Sequence, residues 1–219
     1  MNDHAFMDRI RSLPIFAALT APSADSALKS AEAAIRGGLK LIEIRLSSPG
    51  AYRVISDLRR EHGDAVLVGA GEVVTQEMAD RAVKSGAQFI SSPHTDETIL
   101  GICREKGLLA VAGALTPTEV VKAWNLGTPI VGIAPAGPFG GPAYVRMLAE
   151  IYQEVRLMPS GGVSIDTMRD YFRAGAFAVS VGAGLFSSAD VQSGGYERIA
   201  ERARALIKSY KELSTDQHG

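Results

Sequence analysis

A glutamate and an arginine lie two positions apart in a short apolar segment, Leu41-Ile42-Glu43-Ile44-Arg45-Leu46. If this segment is a strand of a closed barrel, its side chains alternate between the two faces, which directs Glu43 and Arg45 to the interior and the isoleucines to the surrounding helices. A carboxylate in the interior could act as a general acid or base, and a guanidinium could bind an anion. The two groups could also form a structural ion pair, because buried charges usually persist only when they are paired.

A second carboxylate, Glu72, directly follows the glycine-rich segment Val68-Gly69-Ala70-Gly71. These glycines would allow a ligand or a neighbouring strand to approach closely, so Glu72 is either a site residue or a solvated carboxylate at the rim. His94 follows the next strand-like segment, where a lone histidine is more often structural or solvated than catalytic. Glu43, Glu72 and His94 together could bind a divalent metal ion, although their spacing matches no established ligand motif.

Two apolar segments near the end of the chain finish in small residues that could bind an anion. Leu157-Met158-Pro159 continues into Ser160-Gly161-Gly162, and Val181 continues into Gly182-Ala183-Gly184. Turns of small residues leave backbone N–H groups free to point at an anion. Because the loops after strands 7 and 8 commonly bind phosphate in eight-stranded β/α barrels, the two turns together predict a phosphate site.

The elements that must position these groups alternate between strand and helix along the chain. The predicted strands cover 13–20, 40–46, 65–71, 89–93, 108–113 and 129–134, followed by the two segments that begin at 157 and 181. The predicted helices cover 4–12, 23–36, 51–61, 76–84, 96–106, 165–174 and 196–213, with two more that begin at 116 and near 143. Thr116 and Glu119 have the spacing of a capping box, which indicates that a helix begins there.

Eight strands that alternate with helices, with no linker between them, predict an α/β protein with one closed (β/α)8 barrel, a TIM barrel, preceded by a short N-terminal helix. A doubly wound open sheet is the alternative, but eight regular units favour closure. We expect residues 1–219 to form one domain, since this length allows a single large core. Residues 214–219 are predicted to form a loose tail.

The composition argues against several classes of partner. The chain has 23 basic and 24 acidic residues, a net charge of −1, and no basic cluster of the kind that binds nucleic acid. Its apolar segments are shorter than the roughly 18 residues that span a bilayer, and its first residues are too polar for a signal sequence. The single cysteine, Cys103, allows no internal disulfide and is predicted to be a buried structural thiol, so we expect a cytoplasmic protein.

With these residues in view, the chain resembles the 2-keto-3-deoxy-6-phosphogluconate (KDPG/KHG) aldolase family, including its 6-phosphogalactonate branch. The resemblance runs from Leu13 to about Leu206. It is carried by Gly37-Gly38, Ile42-Glu43-Ile44, Leu46-Ser47-Ser48-Pro49, Val68-Gly69-Ala70-Gly71, Ser92-Pro93, Pro135 with Phe139-Gly140, and Pro159-Ser160-Gly161-Gly162-Val163. The resemblance implies a TIM barrel, a homotrimer, and a lyase of carbohydrate metabolism that splits a phosphorylated 2-keto-3-deoxy acid into pyruvate and glyceraldehyde 3-phosphate without a cofactor.

The resemblance also implies which residues do the chemistry, and here the chain departs from the family. Members use a strand-6 lysine as the Schiff base and a strand-2 glutamate as the proton shuttle. Glu43 matches the glutamate, whereas Gly132 stands at the position of the lysine. Glycine has no amine, so an iminium cannot form at that position. The lysines of this chain are predicted in helices or, for Lys40 and Lys106, before strands at the opposite end of the barrel.

Further replacements change the predicted pocket. Ala134 replaces an aromatic residue of the family, and Glu72 replaces a threonine that helps to hold the pyruvate carboxylate. The carboxylate of Glu72 would repel that of the substrate unless it is neutralised, and Arg45, which the family pattern lacks, is the residue that could neutralise it. The predicted site therefore has three groups: catalytic Glu43, Arg45 and Glu72; phosphate-binding Ser160, Gly161, Gly162, Gly182 and Ala183; and substrate-binding Gly71, Pro93, Gly132 and Pro135.

Three functions stay open at this point. The first is a divergent lyase that acts on a phosphorylated 2-keto acid with Glu43 as proton shuttle and no Schiff base, where a divalent metal could stabilise the enolate instead. The second is a non-catalytic relative that binds a phosphosugar. The third is an isomerase or epimerase in which Glu43 moves a proton beside a carbonyl, a reaction that needs no lysine.

Overall fold

The computed structural model describes residues 3–216, in which eight parallel strands alternate with helices. The strands are β1 Ile15–Leu19, β2 Leu41–Arg45, β3 Leu67–Gly71, β4 Phe89–Ser92, β5 Leu109–Ala114, β6 Ile130–Ile133, β7 Leu157–Pro159 and β8 Val179–Val181. The helices are α1 Asp3–Ser12, α2 Ala24–Arg36, α3 Ala51–His62, α4 Gln76–Lys84, α5 Glu97–Lys106, α6 Pro117–Asn125, α7 Gly141–Ile151, α8 Met168–Arg173, α9 Ser188–Ser193 and α10 Tyr196–Asp216, with a 3₁₀ turn at Gly137–Phe139.

The sheet closes into the predicted TIM barrel. Its strand order is β7-β6-β5-β4-β3-β2-β1-β8, and a parallel bridge between Ser160 and Ser180 joins the two end strands. The helices cover the outside of the sheet, and their apolar faces pack with outward-facing strand residues such as Ile42 and Ile44. Closure removes both sheet edges, so the carboxyl ends of all eight strands surround one opening.

The amino-terminal end of the barrel interior is filled with apolar side chains. Phe16 and Phe89 meet edge to face, with ring centroids 5.3 Å apart, and Leu41 and Leu67 lie in the same cluster. Helix α1 covers this end with Phe6, Met7 and Ile10, which accounts for the apolar face of this helix. Space for a ligand is therefore left at the opposite end.

The strand register places small residues opposite the charged side chains of β2. Glu43 lies opposite Ala18 of β1 and Gly69 of β3, and Arg45 lies opposite Gly71 of β3. Small residues at these positions leave space above the sheet for the longer side chains between them. The sequence of the neighbouring strands thus supports the inward orientation that alternation predicts for Glu43 and Arg45.

Most predicted boundaries agree with the structure to within a few residues, and the capping box of Thr116 and Glu119 is present. Strand β8 was predicted too late in the chain: it ends at Val181, and residues 182–186 form the turn that follows. The predicted tail at 214–219 is wrong for residues 214–216, which are the last turn of α10, while residues 217–219 lie outside the described residues. Helix α9 and the 3₁₀ turn were not predicted, because each is too short for a periodic apolar pattern. In the described chain, no helix is both long and apolar enough to cross a membrane.

Candidate functional site

A cavity of about 170 Å³ lies at the carboxyl ends of the strands. Glu43 and Arg45 of β2, Glu72 after β3 and Ser91 of β4 form its polar wall. Its remaining wall is built from small and apolar residues of later strands, including Pro93, Val111, Gly113, Gly132, Ala134, Met158 and Ser160. The three predicted catalytic side chains therefore face one space, at the end of the barrel where TIM-barrel enzymes hold their active sites.

The Glu43 carboxyl is the most buried charged group of this cavity, with 4% of the residue exposed. Burial raises its pKa above the ordinary value and the nearby Glu72 carboxylate raises it further, whereas the guanidinium of Arg45 and the hydroxyl of Ser91 lower it. Its Oε2 atom is buried and has no hydrogen-bond partner among the described residues. A carboxyl group with a raised pKa and a free oxygen in a cavity is suited to taking and returning a proton of a ligand.

The Arg45 guanidinium lies between the two carboxylates. Its Nε atom is 3.7 Å from Oε1 of Glu43, and its Nη1 atom is 3.7 Å from Oε1 of Glu72. Both separations exceed a hydrogen bond, and Nε is buried without a hydrogen-bond partner in the described chain. A purely structural arginine–carboxylate pair usually closes into short, parallel hydrogen bonds. This looser arrangement leaves donor capacity on Arg45 for a ligand.

Glu72 begins the turn after β3 with a left-handed backbone. Its φ is 60°, a conformation that no other non-glycine residue adopts in the described chain. Holding such a residue there costs on the order of 1–3 kcal/mol, and residues with this strain are concentrated at functional sites. The side chain is 39% exposed and still contacts the cavity, so Glu72 occupies the boundary between the cavity and solvent.

Gly132, which the resemblance puts at the position of the family lysine, forms part of the cavity wall. A Cβ atom added there would lie 3.3 Å from Cγ1 of Val111 and 3.7 Å from the carbonyl oxygen of Ala112, so a side chain would require only a small adjustment. All seven lysines of the chain are exposed, and in the described residues none lines the cavity. Among the described residues, no lysine amine therefore reaches the space around Glu43.

Two of the predicted substrate contacts lie just behind the cavity wall. Gly71 lies under the Glu43 carboxylate, and a side chain at position 71 would overlap it. Pro135 follows a cis peptide bond and packs against Gly161. Pro93, in contrast, lines the cavity. Gly71 and Pro135 thus shape the site without contacting its open space.

The structure separates the predicted phosphate-binding residues into three groups. Gly161 and Gly162 have φ values of 80° and 88° and pack against residues 135–137, away from the open space. Ser160 lines the 170 Å³ cavity. Gly182 and Ala183 line a second cavity of about 320 Å³, which lies between the end of β1 and helix α9 and shares Arg45 with the first.

The predicted metal alternative is not supported by the arrangement of its ligands. Among the described residues, no three histidine, cysteine, aspartate or glutamate side chains are grouped so that they could hold a metal ion. His94 is exposed, and its Nδ1 atom lies 3.3 Å from Oγ of Ser92. Glu43, Glu72 and His94 are therefore not brought together as one ligand set in the described residues.

Several residues of the site were not predicted from the sequence. Ser91 lies two positions after the inward-facing Phe89, so the alternation rule could have identified it. Met158 is the middle residue of β7 and also lines the cavity, but a methionine in an apolar strand does not by itself indicate a binding site. Cys103 is buried as predicted, and burial raises the pKa of its thiol to about 11, which makes it a poor nucleophile.

Comparison with known proteins relates the whole barrel to one family. Residues 6–202 match the sequence model of the family described as KDPG and KHG aldolase. A 2-dehydro-3-deoxy-phosphogluconate aldolase from Treponema pallidum (strain Nichols) is 29% identical over 202 residues, covering 92% of this chain and 94% of that protein. A 2-dehydro-3-deoxy-6-phosphogalactonate aldolase from Escherichia coli (strain K12) is 29% identical over 201 residues, covering 91% and 96%. A solved structure described as native KDPGal superposes with a TM-score of 0.85 at 28% identity, covering 93% of this chain and 97% of the other.

Proposed function

Because the chain belongs to the KDPG and KHG aldolase family, we propose that it is a carbon–carbon lyase acting on a phosphorylated 2-keto acid. We further propose that it works without a Schiff base, with Glu43 as the proton shuttle. The observation that carries the proposal is the buried Glu43 carboxyl with a free oxygen, in a cavity that includes Gly132 and contains no lysine among the described residues. The homotrimer, the cytoplasmic location and the single domain that the sequence suggested stay predictions.

Glu43 is proposed to move one proton through the cleavage. As a base it takes the proton of the substrate's C4 hydroxyl, the C3–C4 bond breaks to give an aldehyde, and the electron pair of that bond passes to the C2 carbonyl as an enolate. The protonated Glu43 then returns the proton to C3 and forms the keto acid. Burial raises the pKa of Glu43, which favours a group that can hold this proton between the two steps.

Arg45 is proposed to stabilise the enolate in place of the missing iminium. Without a lysine, the negative charge collects on the C2 oxygen, and the guanidinium beside Glu43 is the positive group of the cavity wall. One well-placed donor to such an oxyanion is typically worth about 10²–10³ in kcat. Glu72, 3.7 Å from Arg45, is proposed as a second acid or base at the rim.

An isomerase or epimerase is the second candidate, and the placement of two carboxylates favours it. Glu43 lies near Nε of the Arg45 guanidinium, and Glu72 lies near its Nη1 atom. If Arg45 binds the carbonyl of a ligand, each carboxylate could therefore exchange a proton with a carbon beside that carbonyl. Such a reaction passes through the same enolate but breaks no carbon–carbon bond.

Proton exchange tests the role of Glu43 directly. In D₂O, the wild-type protein should exchange the C3 protons of pyruvate or of a longer 2-keto acid, followed by NMR. The Glu43→Gln variant should exchange them at least about 100-fold more slowly, because it lacks the base. Glu201→Gln, an exposed position on α10, is the matched control and should exchange at the wild-type rate. Unchanged exchange in Glu43→Gln would exclude the proton-shuttle role.

Two further readouts separate the alternatives. Release of an aldehyde from phosphorylated 2-keto-3-deoxy acids identifies the lyase, whereas exchange or inversion without aldehyde identifies the isomerase. Borohydride with pyruvate should leave no covalent adduct on the wild-type protein. A stable adduct would show that a lysine does reach the substrate. If no substrate undergoes proton exchange, both enzymatic candidates are excluded and the protein is a non-catalytic binding protein.

A further inference from the structure

We propose that the hydroxyl of Ser180, in β8, binds an oxygen atom of the substrate at the depth of the barrel where Glu43 moves a proton. The inference rests on the proposed function for the reaction itself and adds to it a residue that recognises the substrate. The oxygen belongs either to the C2 carbonyl or to the C4 hydroxyl, the two groups that flank C3 of the keto acid.

Ser180 lies in the same layer of the barrel as Glu43. In a TIM barrel, the inward-facing side chains of alternate strands form layers across the interior. One apolar layer comes from the even-numbered strands and their first flanking residues, and consists of Leu41, Phe89, Ile130 and Ala178. Two positions further along the same strands, the next layer consists of Glu43, Ser91, Gly132 and Ser180. All four residues of this second layer line the 170 Å³ cavity.

This layer has an open space opposite Glu43. Strand β6 is the fourth strand after β2 in the closed eight-stranded barrel, so Gly132 lies across the barrel axis from Glu43. Because glycine has no side chain, the layer is not filled on that side. Ser91 and Ser180, which come from β4 and β8, border the space from its two flanks. A substrate atom that enters between Glu43 and Gly132 therefore lies between two hydroxyl groups.

Strand pairing directs the side chain of Ser180 into the barrel. Ser180 lies opposite Phe16 of β1, and a parallel bridge joins it to Ser160 after β7. Residues that are paired on neighbouring strands point to the same side of a sheet. Phe16 points inward, where its ring meets that of Phe89. Pairing on both sides of β8 therefore holds the Ser180 hydroxyl towards the cavity.

The Ser180 hydroxyl is available to a ligand. The residue is 2% exposed, and within the described chain no group pairs with its hydroxyl. Ser91 differs, because its hydroxyl acts on the Glu43 carboxyl and lowers the pKa of that group, whereas Ser180 is not among the groups that shift it. Buried polar groups normally have a hydrogen-bond partner, and a hydroxyl can rotate to donate to one. A substrate oxygen in the cavity would supply the partner that Ser180 lacks.

The depth of Ser180 decides which atoms of the substrate it meets. In the proposed cleavage, Glu43 exchanges protons with the C4 hydroxyl and with C3, and negative charge collects on the C2 oxygen. Arg45 lies two positions after Glu43 and so one layer nearer to the mouth of the barrel. Ser180 adds a donor at the level of Glu43 itself, where a hydrogen bond to the developing charge assists the reaction.

The kinetics of C3 proton exchange test this role with a matched control. Ser180→Ala removes the hydroxyl from the cavity. Ser30→Ala removes a hydroxyl that is also buried and unpaired in the described chain but lies in α2, outside the barrel. Both variants should keep the melting temperature within a few degrees of the wild type, because neither loses a hydrogen bond of the described chain. We expect Ser180→Ala to lower kcat/KM for exchange about five- to tenfold and Ser30→Ala to change it by less than about twofold.

Two substrates identify the oxygen. A loss with both pyruvate and a 4-hydroxy-2-keto acid assigns the contact to the C2 oxygen, which both compounds carry. A loss confined to the 4-hydroxy-2-keto acid assigns it to the C4 hydroxyl. The inference is overturned if Ser180→Ala exchanges both compounds within about twofold of the wild-type rate, or if its loss is matched in Ser30→Ala.

The pH dependence separates a contact with the substrate from an effect through Glu43. Ser180→Ala should lower the rate without moving the midpoint of its fall in acid, whereas Ser91→Ala should move that midpoint to higher pH, because Ser91 lowers the pKa of Glu43. A loss in Ser180→Ala that is only a shift of this midpoint overturns the inference. If the wild-type protein shows no exchange, the proposed function fails, and calorimetric titration with the 4-hydroxy-2-keto acid then tests Ser180 alone: equal affinity of Ser180→Ala and the wild type overturns its role in binding.

Discussion

Restoring an amine at position 132 should restore Schiff-base chemistry to this barrel. In the variant Gly132→Lys, the new side chain begins at the cavity wall, where a Cβ atom lies 3.3 Å from Cγ1 of Val111 and 3.9 Å from Cα of Gly113. The backbone at 132 is not left-handed, so a non-glycine residue introduces no conformational strain there. The lysine then extends into the 170 Å³ cavity that Glu43 and Arg45 line.

The expected loss of stability is moderate. Enlarging a residue in a packed site typically costs about 1–3 kcal/mol, and for a chain of this length each kcal/mol lowers the melting temperature by about 2–4 °C. Burial and the neighbouring guanidinium disfavour the charged form of the new ammonium group, whereas the carboxylates of Glu43 and Glu72 in the same cavity favour it. The variant should therefore stay folded with a part of its lysine present as the free amine, which is the nucleophilic form.

Trapping with borohydride measures the result. Gly132→Lys incubated with pyruvate and borohydride should gain the mass of one reduced pyruvate, and peptide mapping should place it on residue 132. Gly132→Met adds a side chain of similar length without an amine and should gain no mass. If Gly132→Lys is folded and gains no adduct either, the cavity does not hold a keto acid beside position 132, and the assignment of this cavity as the reaction site fails.

Three other perturbations follow from the electrostatics and packing of the site. Exchange needs ionised Glu43, so the rate of exchange should fall in acid with a midpoint above the ordinary pKa of a glutamate. Arg45→Met should move this midpoint to higher pH and Glu72→Gln to lower pH, because the guanidinium lowers the pKa of Glu43 and the carboxylate raises it. Unchanged midpoints in the pH–rate profiles of both variants would refute the electrostatic coupling of these residues to Glu43. Asp190→Asn should cost about 2 kcal/mol in urea unfolding, because a hydroxyl and two guanidinium groups hold the pKa of the buried Asp190 well below its usual range. That stabilisation is present above about pH 4 and is lost as the pH falls further, so the difference from the wild type should shrink in acid; a constant difference would refute the charge-based account. Gly71→Ala should lower the free energy of unfolding by about 1–3 kcal/mol and slow exchange, since the added methyl group displaces the Glu43 carboxylate. A variant with the wild-type melting temperature and exchange rate would show that Glu43 does not need its present position.

The fold could be predicted from the sequence because the information is local. Each β/α unit has its own apolar strand, its own periodic helix and often its own cap, as at Thr116, so the barrel is specified many times over. Position 43 was equally predictable, since two-residue alternation depends only on the strand that contains it. Helix α9 was not predicted, because six residues are too few to show a periodic pattern.

What could not be predicted depends on contacts between distant segments. The sequence shows glycines at 161, 162, 182 and 184 as equivalent small residues, and only packing decides which of them faces an open space. Val163 and Ser164 lie so close to Gly184 that a larger residue would not fit at position 184. Gly137 excludes a larger residue at position 162 in the same way. The position of His94 relative to Glu43 and Glu72 could not be predicted for the same reason, since the orientation of a turn residue depends on the tertiary structure around it.

The geometry of Glu43 and Arg45 bears on the choice between a structural ion pair and a functional pair. A structural pair in a barrel interior is stable when short hydrogen bonds offset the loss of hydration of both charges. Here the closest approach is 3.7 Å, and one buried atom on each partner, Oε2 and Nε, has no hydrogen bond among the described residues. Leaving a buried polar atom unpaired costs about 1–3 kcal/mol, so each of these two atoms favours a hydrogen-bond partner. A ligand oxygen that accepts from Nε of Arg45 and shares a proton with Oε2 of Glu43 would satisfy both atoms at once, which is the arrangement that an enolate or a hydroxyl beside a carbonyl provides.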